Sequence, residues 1–280
     1  MNGKVCLVTG ATSGIGEVTA RVLAKRGATV IVVGRNAERG AATLERIRRA
    51  NADASVELML ADLSSIEQIR KLADEFKRRY SRLDVLVNNA GAIQNKRMQS
   101  VDGIELTWAL NHLNYFLLTN LLLDVLKASA PARIVNVSSR AHYRGSINFD
   151  DLQGRDTYRG LSAYGQSKLA NVLFTYELAR RLESERVTAN VLHPGFVATN
   201  FAKNNGGLFK LILPLVGLFA LSPEKGAQTM LYLATSSEVE GVSGKYFNKS
   251  KAVKSSTESY DKNVARRLWQ VSEEMSGLAS

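Results

Sequence analysis

Tyr164 and Lys168 lie four residues apart in the segment SAYGQSKLANVLFTYELARRL, whose periodicity is that of a helix. Residues four apart on a helix stack on one face, so the lysine can hold its ammonium near the phenol. A free tyrosine has a pKa of roughly 10, too high for proton transfer near neutrality. A neighbouring cation favours the phenolate, and the expectation is that Lys168 depresses the Tyr164 pKa. That would make Tyr164 a usable general acid or base. The pair alone is a weak signal, since surface helices carry it by chance.

A second signal stands at the amino end of the chain. The run VTGATSGIG reads as strand, glycine turn and helix start. Gly10 permits the tight turn, while Gly14 and Gly16 allow close backbone approach by a phosphate and by the sheet. Thr12, Ser13 and Ile15 complete the turn, and the helix amino terminus offers N–H donors to a pyrophosphate. The second strand ends IVVGRN. An acid near this point would hold a free ribose 2′-hydroxyl, but Gly34 stands there and Arg35 follows. A guanidinium suits a 2′-phosphate, so the cofactor reading is NADP(H) over NAD(H), with a solvent-facing Arg35 as the alternative.

The elements that must position these residues alternate along the chain. Strand candidates are 4–9, 28–33, 56–61, 85–88, 133–137, 188–192 and 245–247, several of them continuous apolar runs suited to a sheet covered on both faces. Helical patterns fill 14–26, 37–50, 65–80, 103–128, 162–183, 223–235 and 260–274. The expectation is an α/β fold: a doubly wound, Rossmann-type sheet of about seven parallel strands with helices on both faces. No linker or repeat divides the 280 residues, so one domain, 1–280, is expected, with a helical extension at about 257–280. Two stretches break the alternation: a polar loop at 140–161 and an apolar insertion at about 200–221. Both leave the carboxyl ends of strands, where ligands bind in such sheets. The insertion, with Phe201, Leu208, Phe209, Leu211, Ile212 and Leu215, reads as a substrate lid, a core segment or a membrane contact.

Composition excludes several classes. The content is 45% hydrophobic and 22% charged, ordinary for a soluble globular chain. The single cysteine, Cys6, cannot pair within the chain and reads as a buried strand thiol. No signal peptide is expected before the first strand, and the apolar stretch 208–221 is too short to span a bilayer. The expected location is the cytoplasm, with peripheral membrane contact through 208–221 left open. The net charge of +11 raises the question of nucleic acid, but no binding motif or interleaved aromatics accompany it, so no nucleic-acid partner is expected. The basic clusters read as solvated helix faces, with attraction to a polyphosphate cofactor or an anionic membrane surface as the alternative. His112, His142 and His193 show no metal-ligand spacing, and no metal is expected. Self-association is left open.

Taken together, the chain resembles the short-chain dehydrogenase/reductase family over nearly its whole length. TGATSGIG resembles that family's cofactor turn, and NNAG, with Asn89, Ala90 and Gly91, its segment after the fourth strand. Asp62, followed by Leu63, resembles the adenine contact; VSS before Tyr164 resembles the catalytic serine; and HPGFVAT, with Pro194, Gly195, Val197 and Thr199, the carboxamide contact. The resemblance implies a catalytic set of Asn111, Ser139, Tyr164 and Lys168. Tyr164 would exchange a proton with the substrate oxygen, and Ser139, preferred to Ser138, would donate a hydrogen bond to it. Lys168 would hold the ribose, and Asn111 would hold a water linking Lys168 to solvent, with a helix-bend or packing role as its alternative. Ser139 and Tyr164 are 25 positions apart, more than in many members. The insert between them resembles the retinol dehydrogenase branch, whose members often carry an N-terminal anchor; none is expected here. The implied function is an NADP(H)-dependent oxidoreductase interconverting an alcohol and an aldehyde or ketone, with a lipophilic, retinal-like substrate. A non-catalytic dinucleotide sensor or scaffold, or a carbon–carbon double-bond reductase, are the alternatives.

Overall fold

Apolar strand runs and amphipathic helices of this spacing can bury both faces of a sheet only by winding in opposite directions from its middle. The computed structural model, which describes residues 1–195 and 221–278, has that architecture. The strands are β1 (Val5–Thr9), β2 (Thr29–Gly34), β3 (Val56–Leu60), β4 (Val85–Asn88), β5 (Ala132–Val137), β6 (Val187–His193), β7 (Tyr246–Asn248) and β8 (Lys251–Val253). They form one sheet in the order β3-β2-β1-β4-β5-β6-β7-β8. Seven strands are parallel, as expected, and β8 adds an antiparallel edge that the sequence reading missed. Its hairpin turns through Lys249 and Ser250, both at positive φ, with neither the Gly nor the Asn that usually marks such a turn.

The winding reverses between β1 and β4, which pair with Cys6 opposite Val85 and Val8 opposite Val87. Helix α1 (Gly14–Lys25), α2 (Ala37–Ala50) and α8 (Pro223–Thr235) cover one face. There Val8, Leu23, Val32 and Met230 join one core cluster, with Cys6 fully buried among them. On the other face lie α3 (Ile66–Arg79), α7 (Gly160–Arg181) and α9 (Lys262–Ser276). Leu7, Ile31, Phe76, Phe116 and Phe174 pack there with Trp269 of α9. Local chemistry sets the ends of these helices. Asn36 and Ser65 cap α2 and α3 through their side chains, and Asp261 starts α9, which Gly277 ends in the left-handed conformation.

One expected helix is not continuous. In place of 103–128 there are α4 (Leu106–Trp108), a π turn over Ala109–Leu113, α5 (Asn114–Leu121) and α6 (Leu123–Ala128). The Asn114 N–H reaches the Ala109 carbonyl, five residues back. Its side-chain amide takes the Leu110 carbonyl at 2.7 Å, which satisfies a group the widened turn would otherwise strand. The 140–161 loop is also more ordered in form than expected. It opens with a 3₁₀ turn, Arg140–Arg144, and Tyr158 ties its far end to Glu105 and the Gln94 carbonyl. The insertion at 200–221 lies outside the described residues save for Leu221. Among the described residues, no helix is long and apolar enough to cross a membrane.

His112 sits in the π turn with no exposed surface, its Nε2 2.9 Å from the Ser272 hydroxyl of α9. Burial pushes its pKa down to about 3, and burial likewise brings His193 to about 4. In the unfolded chain both would titrate near 6.5, so between that pH and about 4 the unfolded state binds more protons than the folded one. Stability is therefore full above pH 6.5 and declines as pH falls, by up to about 1.4 kcal/mol per pH unit for each histidine. Urea midpoints measured from pH 7 to 4.5 should show this fall, and His112→Gln should flatten it by one histidine's share. A pH-independent midpoint over that range would contradict the burial argument.

Candidate active site

The carboxyl ends of β1 and β4 diverge around the glycine turn, and each glycine there has a reason. Gly10 and Gly14 adopt φ of 63° and 58°, where a side chain would be strained. A Cβ on Gly16 would lie 2.5 Å from both the Asn89 amide and the Gly10 oxygen. Asn89 closes this corner by donating to the Thr9 and Gly10 carbonyls at 2.8 and 3.2 Å. The Thr9 hydroxyl in turn accepts from the Asn89 and Ala90 N–H groups. Helix α1 starts with Ser13 extended and making no side-chain cap, so its first N–H groups face outward from the turn. A Cβ at Gly34 would strike the Thr12 methyl at 2.5 Å, which packs the end of β2 against the turn.

Arg35 follows Gly34 as an exposed cation with no ion pair or hydrogen bond among the described residues. Asp62 folds back on itself: its carboxylate accepts from the Ser64 N–H and hydroxyl at 2.9 and 2.7 Å, and Leu63 is buried beside it. Pro194 and Gly195 continue β6, Gly195 at φ 87°. Val197 and Thr199 lie outside the described residues. An uncapped helix start, glycines that bring the backbone close and a free guanidinium form a donor set that fits a phosphorylated dinucleotide.

The reacting side is built by α7 lying across the end of β5. Ser138 is buried and its hydroxyl donates to the Lys168 carbonyl at 2.7 Å, so it fastens the helix to the strand. Ser139 caps the 3₁₀ turn by accepting from the Ala141 N–H at 3.2 Å, and it hydrogen-bonds Tyr164. Lys168 is 2% exposed, its Nζ donating to the Val137 carbonyl at 3.1 Å. It lies 5.7 Å from the Tyr164 ring centre and 5.5 Å from that of Tyr115. A Cβ on Gly91 would come within 3.5 Å of the Lys168 Nζ, which places the lysine beside the segment after β4. Asn111 is in the π turn; its side chain holds Ala92 from both sides, at 2.7 and 2.9 Å, and donates to Ser167 at 3.0 Å.

The electrostatics differ from the expectation that Lys168 lowers the tyrosine. Burial raises Tyr164 to about 12, and the Ser139 hydrogen bond works against that rise. Burial also lowers Lys168 to about 7. Desolvation dominates both groups, with the ammonium hydrogen-bonded to the Val137 carbonyl and 5.7 Å from the centre of the tyrosine ring.

His142, expected only to show no metal-ligand spacing, packs directly against Ser139. It is fully buried, with Nδ1 2.6 Å from the Ser139 carbonyl, and its Nε2 accepts from the Ser256 N–H at 3.1 Å. A carbonyl can only accept and an N–H only donate, so the ring is the neutral Nδ1–H form. The available signal was its place three residues after Ser139. Asn171, three residues after Lys168 on the same helix face, was missed too.

The profile of short chain dehydrogenases matches residues 4–207 of this chain. Human retinol dehydrogenase 14 is 46% identical over 99% of the chain and 88% of the relative. Human retinol dehydrogenase 13 is 44% identical over 99% and 85%. Among solved structures, an uncharacterised protein from Mycobacterium paratuberculosis aligns with TM-score 0.81 at 35% identity, covering 99% of this chain and 94% of that one. The Pseudomonas aeruginosa RhlG/NADP active-site complex aligns with TM-score 0.70 at 30% identity, covering 88% and 94%.

The burial of Lys168 has a direct spectroscopic consequence. One lysine side-chain NMR signal, absent from Lys168→Arg, should titrate with a midpoint near 7. If the Lys168 signal keeps the ordinary midpoint of roughly 10.4, the amine is solvated and the described packing around it is wrong.

Proposed function

The chain belongs to the short-chain dehydrogenase family, and from that premise we propose an NADP(H)-dependent oxidoreductase that interconverts a lipophilic alcohol and its aldehyde or ketone. The observation that carries the reading is the Ser139–Tyr164 hydrogen bond with Lys168 buried beneath it, at the strand ends next to the glycine turn. NADP(H), when bound, supplies or takes up the hydride. The turn from Gly10 to Gly16 would hold its phosphates and Arg35 its 2′-phosphate, while Gly91 and the Pro194–Gly195 segment would border the nicotinamide.

Because burial keeps Tyr164 protonated, the site rests in the state that gives a proton to a carbonyl oxygen. Ser139 accepts from Ala141 and is held by hydrogen bond beside the Tyr164 phenol, where its hydroxyl would also reach that oxygen and steady it as negative charge develops. The Lys168 charge eases departure of the tyrosine proton and is present below about pH 7. Carbonyl reduction should therefore weaken as pH rises through that value. The lipophilic substrate class is supported by two features: relatives named for retinol and the apolar composition of residues 208–221.

Two experiments test the assignment. Tyr164→Phe keeps the ring and removes the proton, so NADPH-dependent reduction of retinal or a medium-chain aldehyde should nearly vanish while NADPH binding survives. Retention of most activity would refute the role. Arg35→Asp should turn an NADPH preference toward NADH. A bidentate charged contact contributes roughly 1.5–3 kcal/mol, or about one to two orders of magnitude in affinity. Equal affinity of the native chain for both cofactors would rule out the 2′-phosphate contact.

A further inference from the structure

Asn171 has no exposed surface and stands one helical turn after Lys168. Its Nδ2 donates to two main-chain oxygens, that of Asn111 at 2.9 Å and that of Val137 at 3.2 Å. The Val137 oxygen is also the acceptor for the Lys168 Nζ, at 3.1 Å. One carboxamide thus joins the π turn carrying Asn111, the end of β5 that leads into Ser139, and the oxygen that anchors the Lys168 ammonium. Both protons of Nδ2 are used, and the amide group is the planar two-proton donor that two diverging carbonyls require.

The other end of the side chain is not matched in this way. Asn171 Oδ1 and His112 Nδ1 are both buried, and neither makes a well-formed hydrogen bond. The Asn171 side chain is hydrogen-bonded loosely to the His112 ring, which favours the charged imidazole against the larger effect of burial. A buried acceptor that is poorly paired is destabilising. A residue present for packing alone would avoid that cost, since an apolar side chain of the same volume could fill the space.

We propose that Asn171 is a positioning residue for proton transfer, fixing the Asn111 and Val137 carbonyls so that Lys168 is held at a set place under Tyr164. The inference rests on the reading of Tyr164 and Lys168 as the proton-handling pair. Asn171 touches neither substrate nor cofactor in this scheme. It acts through the oxygen it shares with Lys168. When that donor is removed, the Val137 carbonyl accepts from Lys168 alone, which favours the charged ammonium and moves its titration up in pH. The loss of the bridge to Asn111 leaves the lysine less well placed, and misplacement of a reacting group by about 1 Å can cost on the order of 100-fold in rate.

The test is steady-state reduction of a medium-chain aldehyde by NADPH across pH for native enzyme, Asn171→Leu, Asn171→Asp and Tyr164→Phe, scaled to folded protein by circular dichroism. Both Asn171 variants should lose about tenfold or more in kcat with little change in the NADPH KM, and the midpoint of the alkaline fall should move above the native one. A folded Asn171→Leu with native kcat and native midpoint overturns the proposal. If Asn171→Leu does not fold, Asn171→Asp, which keeps the shape and replaces the donor with an acceptor, decides by the same readouts. Failure of both to fold also counts against it, because that is what a purely structural residue would give. If Tyr164→Phe retains activity, the underlying reading fails. If only the Asn171 variants behave as native, this inference fails alone.

Discussion

Keeping an amine in a place where it is only 2% exposed is the constraint on which the rest of the site depends. A buried lysine loses hydration, and here that loss alone brings its pKa to about 7. Its held partner is one main-chain carbonyl, with the Tyr115 and Tyr164 rings at 5.5 and 5.7 Å. An arrangement of this kind persists only if α7 and the end of β5 cannot slide past each other. Ser138 provides one fastening, from its hydroxyl to the Lys168 carbonyl. The sheet provides the others.

Those fastenings form a chain of buried amides and hydroxyls beneath the site. Asn88 on β4 donates to Asn136 on β5 and to Thr119 on α5, each at 2.9 Å. Asn136 donates to Thr175 on α7 at 2.9 Å, and Thr175 donates back to the Asn171 carbonyl at 2.6 Å. In an interior of low dielectric such a network is stable when paired and costly when broken, so it admits few alternative rotations of α7. Apolar packing from Phe116, Phe174 and Trp269 holds the helix down, but packing alone tolerates small shifts. The polar chain selects the rotation that brings Tyr164 and Lys168 to the strand ends.

The sheet, its winding and the glycine turn were legible in the sequence because each rests on a local rule. Continuous apolar runs mean strands buried on both faces, and Gly10 and Gly14 mark backbone that turns through positive φ. Arg35 was legible in position, since it follows the last residue of β2. Other features depend on what the fold brings together and have no local signature. The π turn at 109–113 preserves the apolar spacing of a helix, so periodicity reads straight through it. The β8 edge is three exposed residues with no apolar alternation. The rise of Tyr164 depends on how much protein surrounds its hydroxyl, which the i,i+4 spacing to Lys168 does not encode. Asn171 and His142 gain their importance from carbonyls on other elements, Val137 and Asn111 for one and Ser139 for the other.

His142 also extends the reach of the site toward the carboxyl end of the chain. Ser139 is the one neighbour that works against the high pKa of Tyr164, and its carbonyl is held by the His142 Nδ1–H. The other nitrogen accepts from Ser256, in a segment whose Ser255 hydroxyl pairs with Tyr176 of α7 at 2.7 Å and whose Lys254 carbonyl accepts from Tyr143. Residues 254–256 are thus tied at one end to the helix that carries Tyr164 and at the other to the serine that tunes it. A displacement of this segment would alter the placement of Ser139 relative to Tyr164 without moving any atom of the glycine turn. The glycine-turn side of the cleft is set by backbone shape within residues 9–16, whereas the Tyr164 side is set by side chains gathered from α7, the 140–144 turn and the segment after β8. That division means the two sides can change independently, the first being local backbone geometry and the second a set of contacts between distant elements.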